Sequence, residues 1–529
     1  MPRDPGTGSV AVRRQQHRLS TASYPRLRLY LPRTGGHRLA LGPCPGLRRT
    51  PRATVFALSW SEAGRYGINA PTMQEPANSC ALDAAPTSPP APAPPAIPEL
   101  AGRGLRHAAR WFYHPYTLLA EAQARHGNTF YTHLPSLGRV LVTGEPHITR
   151  ATISNGDLVG GRGTRFLRPL LGEDTLIILE GEAHRRRHKL LAPHFRQRAV
   201  RHLDALTLAR CEQVLHALAP GDTFTAAQLA RDITLPLIVR LIFGELDDEM
   251  QREAENIVAS ICHAFENPLF LFLRPLQFRL GGLAPWGRLV KHRARLNDFI
   301  DARLAAGAED QDGALLACLA RALKENAGVT RTSIHHEILS LLLFGHDTSA
   351  VTLAWLFYHV YRDPRVLDAL AAELEDMNDL TAVCDDESSF LAACVRESMR
   401  LCPVVVHLTR VAVRDTEVAD IPVRQGQAVL PSAWLAQHNA SIYSQPEHFD
   451  PWRYLQAQAG RDDNPYAFFP FGLGARKCIG EPLAMRQLKL ILASAVHHGQ
   501  LELLHHTLAP TRQMLLIGPR GGTPMRRQA

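Results

Sequence analysis

Phe471-Gly472-Leu473-Gly474-Ala475-Arg476-Lys477-Cys478-Ile479-Gly480 is the stretch on which the reading of this chain turns. It places one cysteine on a glycine-punctuated loop at the mouth of a predicted helix. That helix begins near Glu481, with Leu483, Met485, Leu488, Leu490 and Ile491 as apolar positions and Pro482 in its first turn. A thiolate there is stabilised by backbone N–H groups with no partner inside the helix and by the positive end of the helix dipole. Gly474 and Gly480 allow backbone conformations and close approaches that a Cβ would obstruct. Phe471 can cover one face of a flat ligand, and Arg476 can pair with an anionic group on it. The plain alternative is a buried structural cysteine, because free Cys packs as a small hydrophobe. The specificity of the whole pattern argues against that alternative.

The pattern Phe-x-x-Gly-x-Arg-x-Cys-x-Gly resembles the cysteine-ligand loop of the cytochrome P-450 superfamily, in its soluble, bacterial-type members. The resemblance extends over roughly residues 97–520. It implies a mainly α fold with small β-sheets, arranged as a single large haem domain. It also implies haem b (iron protoporphyrin IX), with Cys478 as the metal ligand and Phe471, Arg476 and Gly480 around the cofactor.

The rest of the 529-residue sequence bounds this reading. An apolar fraction of 45% suits a globular protein with a large core. Nine cysteines are widely spread, and no close pair has zinc or redox spacing, which fits reduced thiols in a cytoplasmic protein. The formal charge of +9 is concentrated at one end. Residues 1–72 hold twelve Arg, no Lys and only Asp4 and Glu62 as acids, so the remainder is close to neutral. The basic balance therefore gives no argument for nucleic acid as a partner. Unbroken apolar runs such as 338–344 are too short to be membrane spans. Residues 1–72 read as a basic, disordered N-terminal extension, an organelle transit peptide, or translated sequence upstream of a start at Met73. A Pro/Ala-rich linker over 73–96 follows, then the haem domain over 97–520 and a flexible tail over 521–529.

Local patterning predicts a helix over 114–124 and strands over 129–134 and 140–143. From 146 to about 380 the apolar spacing is mostly helical. Strands return over 405–412, 416–423, 428–433 and 513–517.

Within a long apolar helix over about 333–360 lies Leu343-Phe344-Gly345-His346-Asp347-Thr348. A glycine followed by polar residues can open a kink there. Its order resembles the oxygen-binding helix of the family. That resemblance implies that Thr348 lies beside the oxygen site and that Asp347 passes protons inward, a general-acid role. Phe344 stands where the family carries a small residue and would narrow the pocket. Glu397 and Arg400, at i and i+3 on one helix face, resemble the family's buried Glu-x-x-Arg pair. The resemblance makes Arg453 in Phe449-Asp450-Pro451-Trp452-Arg453 its third, structural member.

The basic helix from Gly181 carries His184 and His188 at the family's propionate-binding positions, with His188 where an arginine is usual. Arg185, Arg186, Arg187 and Lys189 are expected to face partly outward and to dock an acidic electron donor. Arg410 is the other propionate partner that the resemblance implies. It also implies pocket walls from about 155–178, 267–278, Phe344 and Gly345, the 404–409 segment with Val405 and His407, and a hairpin near Met514. These segments are apolar, which suits a lipophilic small molecule such as a fatty acid or terpenoid. His407 either orients a substrate oxygen or is a core histidine satisfied by backbone.

The implied activity is that of a haem-thiolate monooxygenase inserting one oxygen atom from O2. Electrons would come from a separate ferredoxin or flavodoxin with its reductase, and the enzyme would be a cytoplasmic monomer. A peroxide-driven peroxygenase or isomerase and a non-catalytic thiolate-haem sensor are the alternatives.

Overall fold

The computed structural model describes residues 97–102, 104–135, 137–266, 284–307, 313–455 and 464–528. The segments 1–72, 73–96 and 267–278 singled out above lie outside them. Of the two units into which the chain divides, Met1–Pro90 and Ala91–Ala529, the described residues belong to the second.

The helices that position the site are α1 (Gly104–Tyr113), α2 (Pro115–His126), α3 (Gly181–Leu191), α4 (Ala226–Phe243), α5 (Arg331–Arg362), α6 (Phe390–Leu401) and α7 (Glu481–His498). Helix α5 is the axis of the molecule. Thr330 caps it, accepting from the Ser333 N–H at 3.1 Å, while Ser333 Oγ accepts from the Thr330 N–H at 2.9 Å. Its first half packs Ile334, Ile338 and Leu342 against α4 and Leu167–Leu171 neighbours. Its second half packs Trp355, Phe357 and Val360 against α6 and α7. By length and composition α5 could cross a membrane, but 72% of its most apolar window is buried inside the fold. The expectation drawn from unbroken runs missed this because His and Thr interrupt the helix without making it polar.

Gly345 explains how α4 comes so close. A Cβ on it would stand 2.7 Å from Ile238 Cδ1, so the glycine is a contact point between two helices. Helix α5 runs unbroken through this position. Close packing with α4 uses the space that a Cβ would have taken.

One five-stranded sheet has the order β1-β2-β8-β5-β3. Strands β1 (Thr129–Leu134) and β2 (Gly138–Thr143) form a hairpin closed at Leu134↔Gly138. Strand β8 (Ala428–Pro431) joins β2 in parallel at Leu141↔Val429, and β5 (Arg410–Ala412) runs antiparallel to β8, with β3 (Leu158–Val159) at the edge. The predicted strand over 405–412 is thus three residues long. The one over 416–423 is a hairpin of β6 (Thr416–Val418) and β7 (Ile421–Val423), turning at Ala419 and Asp420 with positive φ.

The C-terminal end departs from expectation. Residues 513–517 span the turn of a third hairpin rather than a single strand: Gln513 ends β10 (Pro510–Gln513), Leu516 opens β11 (Leu516–Pro519), and Met514 sits in the turn between them at φ 52. The segment expected as a flexible tail contains β12 (Pro524–Arg527), the central strand between β4 (Thr223–Thr225) and β9 (Leu501–Leu503). Its Met525 is fully buried, paired across to Phe224 and Leu503. The tail's polarity hid a strand whose pairing partners lie far away in sequence. Ending the chain at Gly521 is therefore expected to lower the melting temperature, since losing one buried Met typically costs about 2–5 kcal/mol. Thermal denaturation checks this, and an unchanged midpoint would return these residues to a loose tail.

Candidate functional site

The cysteine loop is a tight reversal. The Cys478 N–H donates to the Phe471 carbonyl at 2.8 Å, and Lys477 N–H to the Gly474 carbonyl at 3.0 Å. Gly472 and Gly474 hold φ of 77° and 66°, values that side chains with a Cβ rarely adopt. Gly480 does not need such freedom. Its φ is −86°, and a Cβ on it would touch Cys478 Sγ at an ordinary 3.8 Å. Helix α7 begins at Glu481 as the sequence predicts, so the N–H groups of Gly480 and Glu481 point at the sulfur.

Burial raises the Cys478 thiol above its ordinary pKa; the two N–H groups and Lys477 oppose this, and Glu481 adds to it. The residue is nevertheless accessible, alone among the described cysteines in being exposed. Both statements hold because the loop is densely surrounded by protein and opens onto a cavity of about 450 Å3, lined among others by His184, His188, Phe195, Ile479 and Glu481. A sulfur so placed is poorly suited to a lone negative charge and well suited to one that a bound cation neutralises.

The anion-binding side of the site is built from Arg410 and Arg476. A Cβ on Gly160 would stand 3.3 Å from both Arg410 Nη1 and Arg476 Nε, which puts the two guanidinium groups side by side. Arg410 is buried and donates to the Thr409 carbonyl at 3.1 Å. Burial, followed by the repulsion of Arg476, lowers its pKa to about 10. Arg476 donates to the carbonyls of Leu176, Ile177 and Leu179. Among the described residues neither has an acidic side chain within ion-pair distance. Two adjacent cations, one buried and one half-buried, with no direct ion pair among the described residues and the longer-range pull of Glu180 on Arg476, fit a ligand that brings carboxylates, such as the two propionates of haem. Accessible sulfur, helix N–H groups and unmatched guanidinium groups together pass the test of fit for that cofactor.

On α3, His184 is buried and His188 half-buried, their ring centroids 6.0 Å apart on the wall of the same cavity. Burial, then Arg476, His188 and Arg185, lower His184 to about 4, so at neutral pH it offers a neutral ring. Arg185 and Arg186 are exposed and share Glu182 at 2.7 and 3.2 Å. Arg187, expected to face outward, points inward instead and pairs with the buried Glu337 of α5 at 2.8 Å. No local pattern signals this, since the partner lies 150 residues away.

On α5, Phe344, Gly345 and Thr348 are half-buried, whereas His346 and Asp347 are buried. The Thr348 hydroxyl donates to the Phe344 carbonyl at 2.7 Å. Asp347 Oδ1 accepts from Arg231 Nε of α4 at 2.9 Å, and its buried Oδ2 has no partner. Arg231 was not legible as a site residue, because nothing in its own neighbourhood marks it. Its side chain, a third exposed, connects the buried carboxylate with solvent.

Glu397, Arg400 and Arg453 come together as expected. Glu397 and Arg400 are wholly buried and joined by two hydrogen bonds of 2.7 and 2.8 Å, and Arg453 Nε reaches Glu397 Oε1 at 3.1 Å. Val405 is 43% exposed, a large apolar side chain left open on the surface. His407 stacks on Trp111 of α1 at 4.8 Å, and both its ring nitrogens are shielded and without a partner. Burial and then Arg512 lower it to about 3, so the ring is neutral. The alternative of a core histidine satisfied by backbone does not hold for its ring. Phe471 packs against the apolar cluster shared by α5, α6 and α7.

The sequence model of the family described as cytochrome P-450 matches residues 94–522. A protein of Mycobacterium tuberculosis (strain ATCC 25618 / H37Rv) carrying the name cytochrome P-450 138 is 27% identical over 421 residues, covering 78% of this chain and 92% of its own. Another of Mycobacterium bovis, named cytochrome P-450 135B1, is 27% identical over 406 residues, with 75% and 82% covered. The fold is similar to the crystal structure of a cytochrome P-450 (CYP102L1), with a TM-score of 0.67, 22% identity, and 79% and 95% of the two chains covered.

Replacing Arg400 with Ala leaves the buried Glu397 short of its main counter-charge. Breaking such a pair typically costs about 3–5 kcal/mol, a large share of a domain's net stability. Arg400→Ala is expected to give little folded, haem-loaded protein; normal melting and full haem content would contradict the buried position of the pair.

Proposed function

The chain belongs to the cytochrome P-450 family and is a haem-thiolate monooxygenase, and we propose that it oxidises a lipophilic small molecule, such as a fatty acid or terpenoid, with a ferredoxin or flavodoxin and its reductase as electron source. The observation that carries the site assignment is the accessible Cys478 with the N–H groups of Gly480 and Glu481 turned toward its sulfur. Cys478 would hold the iron of haem b, with Arg410, Arg476 and His184 at the propionates and His188 beside them. Phe471 and Gly480 would contact the macrocycle from the loop. When bound, the haem supplies dioxygen activation for insertion of one oxygen atom into a C–H or C=C bond.

The chain's own part is proton delivery, orientation and exclusion of water. Asp347 is a buried carboxylate with one oxygen committed to Arg231 and the other free. Outward rotation of Arg231 would open Asp347 to solvent, and Oδ2 could then carry a proton inward as a general acid. The Thr348 hydroxyl, now turned to the Phe344 carbonyl, would have to rotate toward the pocket to receive it. Phe344, Gly345, Val405 and Met514 would form apolar walls, and Phe344 would narrow the space above the haem. His407, with a donor and an acceptor both free, would orient a substrate oxygen. Arg185, Arg196 and Lys477 around the cavity mouth favour an acidic electron donor. The reading includes a cytoplasmic monomer.

Thr348→Ala is expected to keep haem content and substrate affinity while diverting reducing equivalents into hydrogen peroxide. Asp347→Asn should slow turnover by about 10²-fold, the scale of a lost general acid, with a larger solvent isotope effect. Electrons consumed, product and peroxide are measured together with a ferredoxin system. Wild-type coupling in both variants would point to the peroxide-driven alternative.

A further inference from the structure

Arg187 and Glu337 stand outside every role described so far, yet they are among the most buried charges in the molecule. Their side chains are 6% and 1% exposed. Glu337 lies eight residues before Gly345 on α5, and Arg187 sits between His184 and Lys189 on α3. A buried ion pair joining two helices seldom stabilises a fold by itself, because desolvation offsets most of the attraction. Glu337 shows this: burial pushes its carboxyl up to about 7, against the pull of Arg187 and of the Leu176 N–H.

What the pair does is hold a third element. Glu337 Oε2 accepts from Arg187 Nη1 at 2.8 Å and from the Leu176 N–H at 3.0 Å, while Oε1 stands 3.3 Å from the same N–H. Arg187 Nη1 also donates to the Asp174 carbonyl at 3.2 Å. The first half of this short segment is thereby tied to the pair at Asp174 and Leu176. The segment's far side carries the carbonyls of Leu176, Ile177 and Leu179, which accept from Arg476. Ile177 O takes a further hydrogen bond, from Thr164 Oγ1 at 2.8 Å. An unbroken line of hydrogen bonds therefore runs from α5 and α3, through residues 174–179, to a guanidinium two residues from Cys478.

We infer that Arg187 and Glu337 are positioning residues for the haem seat, a clamp that fixes residues 174–179 and, through their carbonyls, the guanidinium of Arg476. The inference rests on the haem-thiolate reading above. It accounts for the side chain at 188, since α3 turns its inward arginine to Glu337 and leaves a histidine on the cavity wall. Without the clamp, the carbonyls that hold Arg476 are free to drift, and the group that meets the cofactor's carboxylate drifts with them. Helix α5 would be little changed, because the Glu337 side chain bonds to Arg187 and Leu176 outside the helix and not to α5 itself.

The test uses the full, haem-loaded chain and follows haem transfer to an excess of an apo-globin acceptor, alongside melting temperature and the carbon monoxide spectrum of the reduced protein. Glu337→Gln is expected to release haem about tenfold faster or more, the scale of a lost charge-assisted hydrogen bond. Part of its carbon monoxide band should leave the thiolate position. Leu374→Ala, a cavity in the apolar core at a residue that makes no bond to the clamp or to residues 174–179, serves as control; it should lower the melting temperature while leaving haem release within twofold of wild type. The double variant Arg187→Met with Glu337→Leu removes both charges and the acceptor for Leu176. It should keep its fold and still lose haem fast, and it decides the matter if Glu337→Gln does not fold. Haem release at the wild-type rate in the double variant would overturn the clamp. A wild-type protein with no thiolate band would instead overturn the reading beneath it.

Discussion

Glu397 carries a charge with no access to water, and much of the site's rigidity follows from how that charge is met. Arg400 and Arg453 supply the counter-charge, and the Asp450 N–H adds a further hydrogen bond at 3.0 Å. Arg400 has donors left over, which it gives to the carbonyls of Gln437, Pro446 and His448. Gln437 in turn donates to the carbonyls of Met399 and Arg400 and accepts from the Phe469 N–H. Phe469 O then closes the turn at Gly472, and Phe471 O receives the Cys478 N–H. The pair is therefore the root of a line of bonds that ends at the backbone N–H of Cys478. The cysteine loop is thereby tied to α6 through residues 437–469.

The opposite situation prevails on the other side of the cavity. Arg410 is buried and Arg476 half-buried, and neither stands in a direct ion pair among the described residues; Glu180 acts on Arg476 from further away. A protein keeps charges in that state only where a ligand completes the balance. The same logic links the two ends of the cysteine: burial opposes a bare thiolate, while helix N–H groups and a bound cation favour one. Each half of the site is electrostatically incomplete, and each lacks what haem brings.

Short-range rules made some of this readable in the sequence and left the rest hidden. The cysteine loop, the start of α7 and the span of β1 depend on neighbouring residues, so local spacing was enough. Glu397 and Arg400 sit on one helix face, and their burial came from the resemblance rather than from the spacing. Arg187, Arg231 and β12 are different, because each is defined by a partner more than a hundred residues away in sequence. Gly345 shows the limit from the other direction. A glycine in a helix is compatible with a kink or with a close helix contact, and the contact at Gly345 is set by Ile238, a residue of α4 that local spacing does not point to.

The account stands on Cys478 as the thiolate ligand, and the carbon monoxide complex of the dithionite-reduced protein tests it most directly. The wild type is expected to show the red-shifted absorption band that a thiolate ligand produces, and Cys478→Ser to lose that band together with most of its haem. A Cys478→Ser protein that kept both the haem and the red-shifted band would place the ligand elsewhere and contradict the assignment.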